Sequence, residues 1–373
     1  MQWIPVILIL PYFFFIIKIY RSLTRVKPFN TSADPVTFIS LVVACHNEQD
    51  NIPLLLKCIG EQDYPEKLFE IIIVDDNSTD RTYEIATGYT GCGNIIVVHN
   101  NGKGKKEAIR TGISSSSGSL IITTDADCRM GKRWLGTIES FYQKHKPDMI
   151  ICPVQIESSP GFFGKFQEME FLSLQGITAG SAISGNGVMC NGANLSFTRK
   201  AYSDNVDNLH DEIASGDDIF LLHSLKRDNK SKILWLESAE AMVTTAASPT
   251  ISAFLKQRSR WIYKAKAYSD RFTVLLGMVT FITIAVQIFV LAEVFINQLF
   301  IPVLLTIFAL KSIPDLLILT NTLRRYGRNK LIIWFLPSQL IYPFYVLSTL
   351  FYPVFSRKAG LSVPHFRKEF DPH

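Results

Sequence analysis

The sequence is short of paired cysteines. Its six, Cys45, Cys58, Cys92, Cys128, Cys152 and Cys190, all fall in the polar middle of the chain, and none form a CxxC pair. That spacing fits reduced thiols in a cytosolic domain and argues against a disulfide framework or a zinc site. Glycine is missing after the first strand pattern, which ends "ACHNEQDN". A dinucleotide-binding domain would carry GxGxxG there, so an NAD-dependent oxidoreductase is disfavoured. The net charge of +5 is not gathered into any run that suggests nucleic-acid binding. There is no internal repeat and no long low-complexity segment, and "SSSSGS" at 114–119 reads as a helix-to-strand turn.

Charge itself is scarce in four stretches. Residues 3–20 hold one charge, Lys18, and are followed by Arg21, Arg25 and Lys27. A secretory signal would place its positive charges before the apolar run, so residues 1–24 read as an anchor, with the chain beyond on the cytoplasmic side. Residues 273–293 are almost uncharged, 299–320 are apolar apart from Lys311 and Asp315, and 331–354 carry no charge but hold Pro337, Pro343 and Pro353. The loop "EVFINQ" lacks Lys and Arg while "RRYGRNK" is strongly basic, which places the first outside and the second inside. A spanning last segment would carry the basic tail outside; with its three prolines it is alternatively re-entrant or interfacial. Residues 271–355 therefore form a membrane region of two or three segments, and 356–373 a basic tail. Lys311 and Asp315 stand a helical turn apart and are placed to pair. A transporter would use such polar residues, but it would leave the large middle domain unexplained.

That middle, residues 36–270, alternates strand and helix patterns. "VTFISLVVACHN", "FEIIIVDDNS", "NIIVVHN" and "SLIITTDAD" read as buried strands, with helical runs between them. The alternation predicts an α/β domain with a parallel, doubly wound sheet, and ligands in such sheets bind beyond the carboxyl ends of the strands. Polar clusters fall at those ends: "HNE" at 46–48, "DDNSTD" at 75–80 and "DAD" at 125–127. Two aspartates one residue apart at a strand end repel and are costly to bury unless something positive compensates them. The plain alternative is that they cap a turn.

Taken together, "VVACHNE", "IIIVDDNSTDRT", "GKKEAIRTGI", "TTDADC", "NGANLSF", "SGDD" and "QRSRW" resemble a membrane-bound family 2 glycosyltransferase with a GT-A fold. The likeness covers about residues 38–265. It implies a nucleotide-sugar donor, a divalent metal, Mg²⁺ or Mn²⁺, and an inverting transfer. Asp127 would touch the metal and Asp125 would help hold the nucleotide. Asp76 resembles the acid that recognises the base, which favours a UDP donor, with Asp75 assisting or capping the turn. Glu48 is the favoured first-loop contact, ahead of His46. Asn77, Ser78 and Asp80 read as turn and N-cap residues. Lys105 would sit near the diphosphate, with Lys103 and Lys106 as rivals and a solvated helix face as the plain reading.

On the acceptor side the resemblance makes Asp218 the general base, with Asp217 tuning it. The bland reading is an acid pair at a helix N-terminus. Family members often have a further acid or an Arg next; here the residues are Ile219 and Phe220, which weakens any inference about acceptor type. Gly192 and Ala193 would let backbone approach a sugar, and Asn194 either bonds a hydroxyl or only shapes a tight turn. Gln257, Arg260 and Trp261 form a QxxRW motif on one helix side, for diphosphate binding and sugar stacking or as an interfacial anchor. The expected acceptor is a membrane lipid or lipid-linked sugar at the cytoplasmic face, with the protein in the inner membrane if bacterial. "FFGKFQEMEF" at 162–171 is amphipathic and suits lipid entry or core packing equally. A processive polysaccharide synthase is the alternative, and a non-catalytic nucleotide-sugar-binding subunit a remote one. The sugar, the metal and the oligomeric state are left open by the sequence.

Overall fold

The computed structural model describes residues 2–210, 213, 216–228 and 230–358. Ser215 of the "SGDD" motif and residues 359–373 of the basic tail lie outside the described residues. In chain order the elements begin with α1 (Ile4–Leu23), β1 (Ile39–Cys45), α2 (Ile52–Gly60), β2 (Phe69–Asp75), α3 (Thr82–Thr87), β3 (Ile95–His99), α4 (Lys105–Ser114) and β4 (Leu120–Asp125). Then come β5 (Arg129–Met130), α5 (Trp134–His145), β6 (Met149–Ile151), β7 (Val154–Glu157), α6 (Phe162–Ile183), β8 (Leu195–Thr198), α7 (Arg199–Ser203) and α8 (Asp217–Arg227). The remainder is β9 (Ile233–Trp235), β10 (Val243–Ala246), α9 (Ile251–Lys264), α10 (Arg271–Ile296), α11 (Ile301–Arg325) and α12 (Phe335–Lys358).

The central sheet has the order β3-β2-β1-β4-β8-β6-β9. Strands β1 and β2 are apolar along almost their whole length because both faces are covered. Leu41, Val43, Ile71 and Ile73 enter one core, and Val42, Ile72, Val74 and Ile121 enter the other. This is the period of two with no solvent face, as parallel sheets require. The parallel register levels the strand ends: Ala44 lies opposite Asp125, Cys45 opposite Asp75, and Asp75 opposite His99.

The sheet is mixed, which corrects the expectation of a wholly parallel one. Strand β8 runs antiparallel to both β4 and β6, with Thr123 opposite Leu195. The chain comes to β8 after the long helix α6 and enters from the opposite edge. That reversal brings the start of β8, Gly192–Asn194, to the carboxyl end of β4; a parallel strand would have put it at the far edge. A second, three-stranded sheet of β5, β10 and β7 lies beside this end.

Among the described residues, four helices are long and apolar enough to cross a membrane: Ile4–Leu23, Arg271–Ile296, Gln298–Arg325 and Asn329–Pro353. Helix α1 packs on α6, α10 and α11. The 162–171 stretch forms the start of α6, where Phe166, Met169 and Phe171 are buried. Lys311 and Asp315 pair at 2.7 Å, and Tyr12 and Gln339 complete the cluster at 2.6 and 3.2 Å from the Asp315 carboxylate. Helix α12 runs antiparallel along α9. Tyr345 stacks on Phe254 at 5.3 Å, and Tyr352 meets Ser252 at 3.1 Å.

Candidate active site

The carboxyl edge of the sheet gathers most of the acids named from the sequence. Asp76 follows β2 and is turned toward the loop before α4. Both its oxygens accept the Gly104 N–H at 3.0 Å, and Oδ1 accepts the Asn100 amide at 2.7 Å. Gly104 has φ +91°, a backbone conformation that suits glycine. Asp76 therefore fixes where α4 begins. Asp75 is buried; its Oδ2 accepts the Ser78 N–H at 3.3 Å, while Oδ1 has no partner among the described residues. Asp80 accepts from Thr82 and from the Gln49 N–H, so it locks the first loop to the second. His46 bonds the Asp76 carbonyl at 2.7 Å.

Helix α4 starts at Lys105, and its ammonium lies on the Asp125 carboxylate. Lys106 is turned the other way, buried, donating to the carbonyls of Leu209 and His210. Lys103 is exposed. Burial lowers the affinity of Lys105 for its proton, but the fields of Asp125, Asp217 and Asp218 outweigh that and hold it charged. Its side chain is 44% exposed, so water weakens each of these pairs.

Asp217 and Asp218 open α8, where the helix dipole favours negative charge. Asp218 is held from two sides: Oδ1 accepts the Ile219 N–H at 2.8 Å and Oδ2 accepts the Gly192 N–H at 3.0 Å. Burial and the charge of Asp218 push Asp217 above the usual carboxylate range, with Lys105 and Lys264 pulling it back. Gly216 precedes the pair with φ +106°, and a Cβ there would stand 2.9 Å from the Lys264 side chain. Glu48 also lies above its usual range, through burial opposed by the Asn51 amide and reinforced by Asp127 and Asp125. These two acids are the groups that sense the local excess of negative charge.

Asp127 is fixed by the Thr245 hydroxyl, which donates to Oδ2 at 2.8 Å. No cluster of three or more potential metal-ligating side chains occurs among the described residues. A Mg²⁺ or Mn²⁺ bound through one or two carboxylates, with its other ligands from phosphate and water, needs no such cluster. The Asp127 carboxylate, with the carboxyl groups of Asp125 and Glu48 nearby, has the donor chemistry for that arrangement.

Asn194 is a correction. It is fully buried, its amide donates to the carbonyls of Pro153 and Ala241 at 2.7 and 2.8 Å, and its oxygen accepts from Trp134 at 3.0 Å. It ties the β8 entry to both sheets and does not face an acceptor. In the QxxRW motif, Trp261 is half-buried and Arg260 is exposed. The QxxRW pattern itself assigns nothing to Arg258. Arg258 is buried, pairs with Glu170 at 2.7 Å, donates to Gln257 at 2.5 Å and lies 4.1 Å from the Trp261 ring centroid. Asn100 and Thr245 were also missed. Asn100 ends a parallel strand, as the other polar clusters do, and was legible by that rule; Thr245 lies in β10, whose partners are distant in sequence.

Residues 40–206 match the family model described as Glycosyl transferase family 2. This is a family 2 glycosyltransferase domain. A Poly-beta-1,6-N-acetyl-D-glucosamine synthase of Staphylococcus epidermidis is 27% identical to the chain over 257 residues, 65% of this chain and 60% of that protein. The glycosyltransferase AglE of Haloferax volcanii is 35% identical over 100 residues, 26% of this chain and 33% of its own. An undecaprenyl-phosphate 4-deoxy-4-formamido-L-arabinose transferase of Edwardsiella ictaluri is 40% identical over 96 residues, 25% of this chain and 30% of its own. The chain thus spans between 30% and 60% of the length of these curated relatives. The family 2 domain has the GT-A-like fold of a mannosyltransferase from Pyrobaculum calidifontis, solved with GDP-Man and Mn²⁺. That structure shares 16% identity at a TM-score of 0.56, over 91% of this chain and 98% of that one.

Proposed function

We propose that the protein is an inverting glycosyltransferase that moves a sugar from a nucleotide-sugar, a UDP-sugar in our reading, to a membrane lipid or lipid-linked acceptor at the cytoplasmic face. The observation that carries this is the position of Lys105. It lies against Asp125 on the donor side and within the field of Asp217 and Asp218 on the acceptor side. A diphosphate and an acceptor hydroxyl bound at the two sides would meet there.

Asp76 and Glu48 are assigned to the nucleotide, Asp125 and Lys105 to the diphosphate side, and Asp127 to a divalent metal. When bound, that metal supplies charge to offset the departing diphosphate. Asp218 accepts the proton of the attacking hydroxyl. Its lone pairs toward Gly192 and Ile219 are already bonded, so its carboxylate is oriented before the acceptor arrives. Asp217, whose carboxyl is held above the usual range by burial and the Asp218 charge, tunes the charge at that place. Arg258 holds the Trp261 ring, leaving it to stack on a sugar, and the exposed Arg260 is assigned to diphosphate.

The reading is supported by the four long apolar helices beside the domain and by the lipid-phosphate transferase among the relatives. A processive polysaccharide synthase is the second reading, because the N-acetylglucosamine polymer synthase aligns over more of the chain. The test is UDP release by detergent-purified protein with a panel of UDP-sugars, with and without Mn²⁺ and membrane lipid. Metal-dependent release that needs lipid supports the lipid reading. Release without lipid that yields a polymer moves the assignment to the synthase. Failure to bind any UDP-sugar sinks the donor site as drawn.

A further inference from the structure

A cavity of about 660 Å³ lies between α1, α6, α9, α10, α11 and α12. That is within the size of sites that hold small ligands. One end adjoins the acceptor side of the active site. Tyr268 lines it and packs on Phe220 and His223 of α8 at 6.3 and 5.0 Å. Met189 also lines it, three residues before Gly192, whose N–H holds Asp218.

The other end lies among the apolar helices. Its deepest lining residue on α10 is Phe281, ten residues beyond Arg271, and on α1 it is Tyr12, eleven before Leu23. At ~1.5 Å per residue these are depths of about 15 and 16 Å. A bilayer's hydrocarbon core is about 30 Å thick, so the cavity has the depth of one leaflet. It ends on the cluster of Tyr12, Lys311, Asp315 and Gln339, which ties α1, α11 and α12 together. These polar groups are bonded to one another, so they present no uncompensated charge to an apolar ligand.

The wall is open sideways. Met278 and Phe281 line the cavity yet are 53% and 51% exposed. Gly277 lies between them and the domain, and a Cβ there would meet no atom within 4 Å. A chain can enter from the bilayer along this face of α10.

We infer that this cavity is the seat of a hydrocarbon chain of the acceptor lipid, one leaflet deep, which presents the lipid's polar head to Asp218. The inference rests on the lipid reading above and names where that acceptor sits. A floor closed by a bonded cluster at one leaflet's depth suits a lipid tail and does not suit a growing polymer that must cross both leaflets.

The test uses the full chain in nanodiscs of phosphatidylethanolamine and phosphatidylglycerol, doped with a phosphatidylcholine carrying a diazirine in its acyl chain. Crosslinked peptides are mapped by mass spectrometry. Wild type is expected to label at Ile16, Ile318 or Leu319 inside the cavity as well as at the exposed Phe295. Gly277→Trp, and independently Met278→Trp, should cut the interior labelling at least ~5-fold and leave Phe295 labelled, while Gly277→Ala keeps both. Interior labelling that is absent, or equal in wild type and both Trp variants, overturns the inference. Protection of the interior by a soluble chito-oligosaccharide but not by unlabelled lipid also overturns it, and assigns the cavity to glycan. Labelling needs neither donor nor turnover, so its outcome is separate from that of the UDP-release assay.

Discussion

The backbone N–H of Gly192 donates to Asp218 Oδ2 at 3.0 Å, across the junction of β8 and α8. One acid is thereby aimed by a strand that reaches the site only because it runs antiparallel. Replacing Asp218 by Asn keeps the shape and removes the base. Transfer should fall by about 10²–10⁴-fold, while UDP-sugar affinity, read by calorimetry, stays within about twofold. Unchanged turnover would remove Asp218 from the mechanism.

Lys105 offers a second test. It holds down the proton affinity of Asp217, which burial and Asp218 raise. In Lys105→Met that restraint is gone, so Asp217 stays protonated to higher pH. The acid limb of kcat/KM for UDP release should move to higher pH, and donor affinity should drop. A limb that stays in place would uncouple Lys105 from the acceptor side.

Asn194 and Arg258 separate architecture from chemistry. Asn194→Ala removes three buried hydrogen bonds and leaves the Ala241 carbonyl and the Trp134 N–H unpaired, while the Pro153 carbonyl keeps the Val243 N–H. The expected cost is roughly 3 kcal/mol or more, with little change in acceptor KM for protein that folds. Arg258→Met leaves Glu170 buried without its ion-pair partner, held by the Tyr345 hydroxyl, and should cost about 3–5 kcal/mol. Arg260→Met, at an exposed position, should leave the melting temperature nearly unchanged. Equal thermal shifts for the two arginines would contradict the packing described.

His223 gives a pH signature. It is buried in α8 with neither ring nitrogen bonded among the described residues, and burial lowers its pKa from 6.5 to about 4. Between those values the unfolded chain binds the proton and the folded chain does not, so stability is present above pH 6.5 and is lost as pH falls toward 4. The loss is on the order of 3 kcal/mol. Melting temperature in detergent should decline over that window in wild type and be flatter in His223→Phe.

The four parallel strands β1 to β4, their polar ends and the four apolar stretches are legible because they follow local periodicity: buried strands read as apolar runs and polar clusters fall where those runs stop. The reversal of β8 was not legible, since four residues, "LSFT", have no directional signature and their partners in β4 are far away in sequence. Asn194 stands in a motif that reads as a site, yet its three bonds go to Trp134, Pro153 and Ala241, none of them near it in sequence. Arg258 was passed over for the reverse reason. Its importance comes from Glu170 and Tyr345, on two other helices, and only their packing makes the first arginine of "QRSRW" the buried one.

That bracing has a consequence for the order of synthesis. Arg258 is gripped by Glu170, which is made before it, and Glu170 is in turn held by Tyr345, made 175 residues after Glu170. While the ribosome is still threading α10 and α11, the sheet and its acids can already be folded, but the Trp261 support lacks its third helix. The Trp261 region, which the proposed reading assigns to the acceptor, is therefore completed last, once the chain is seated among its apolar helices.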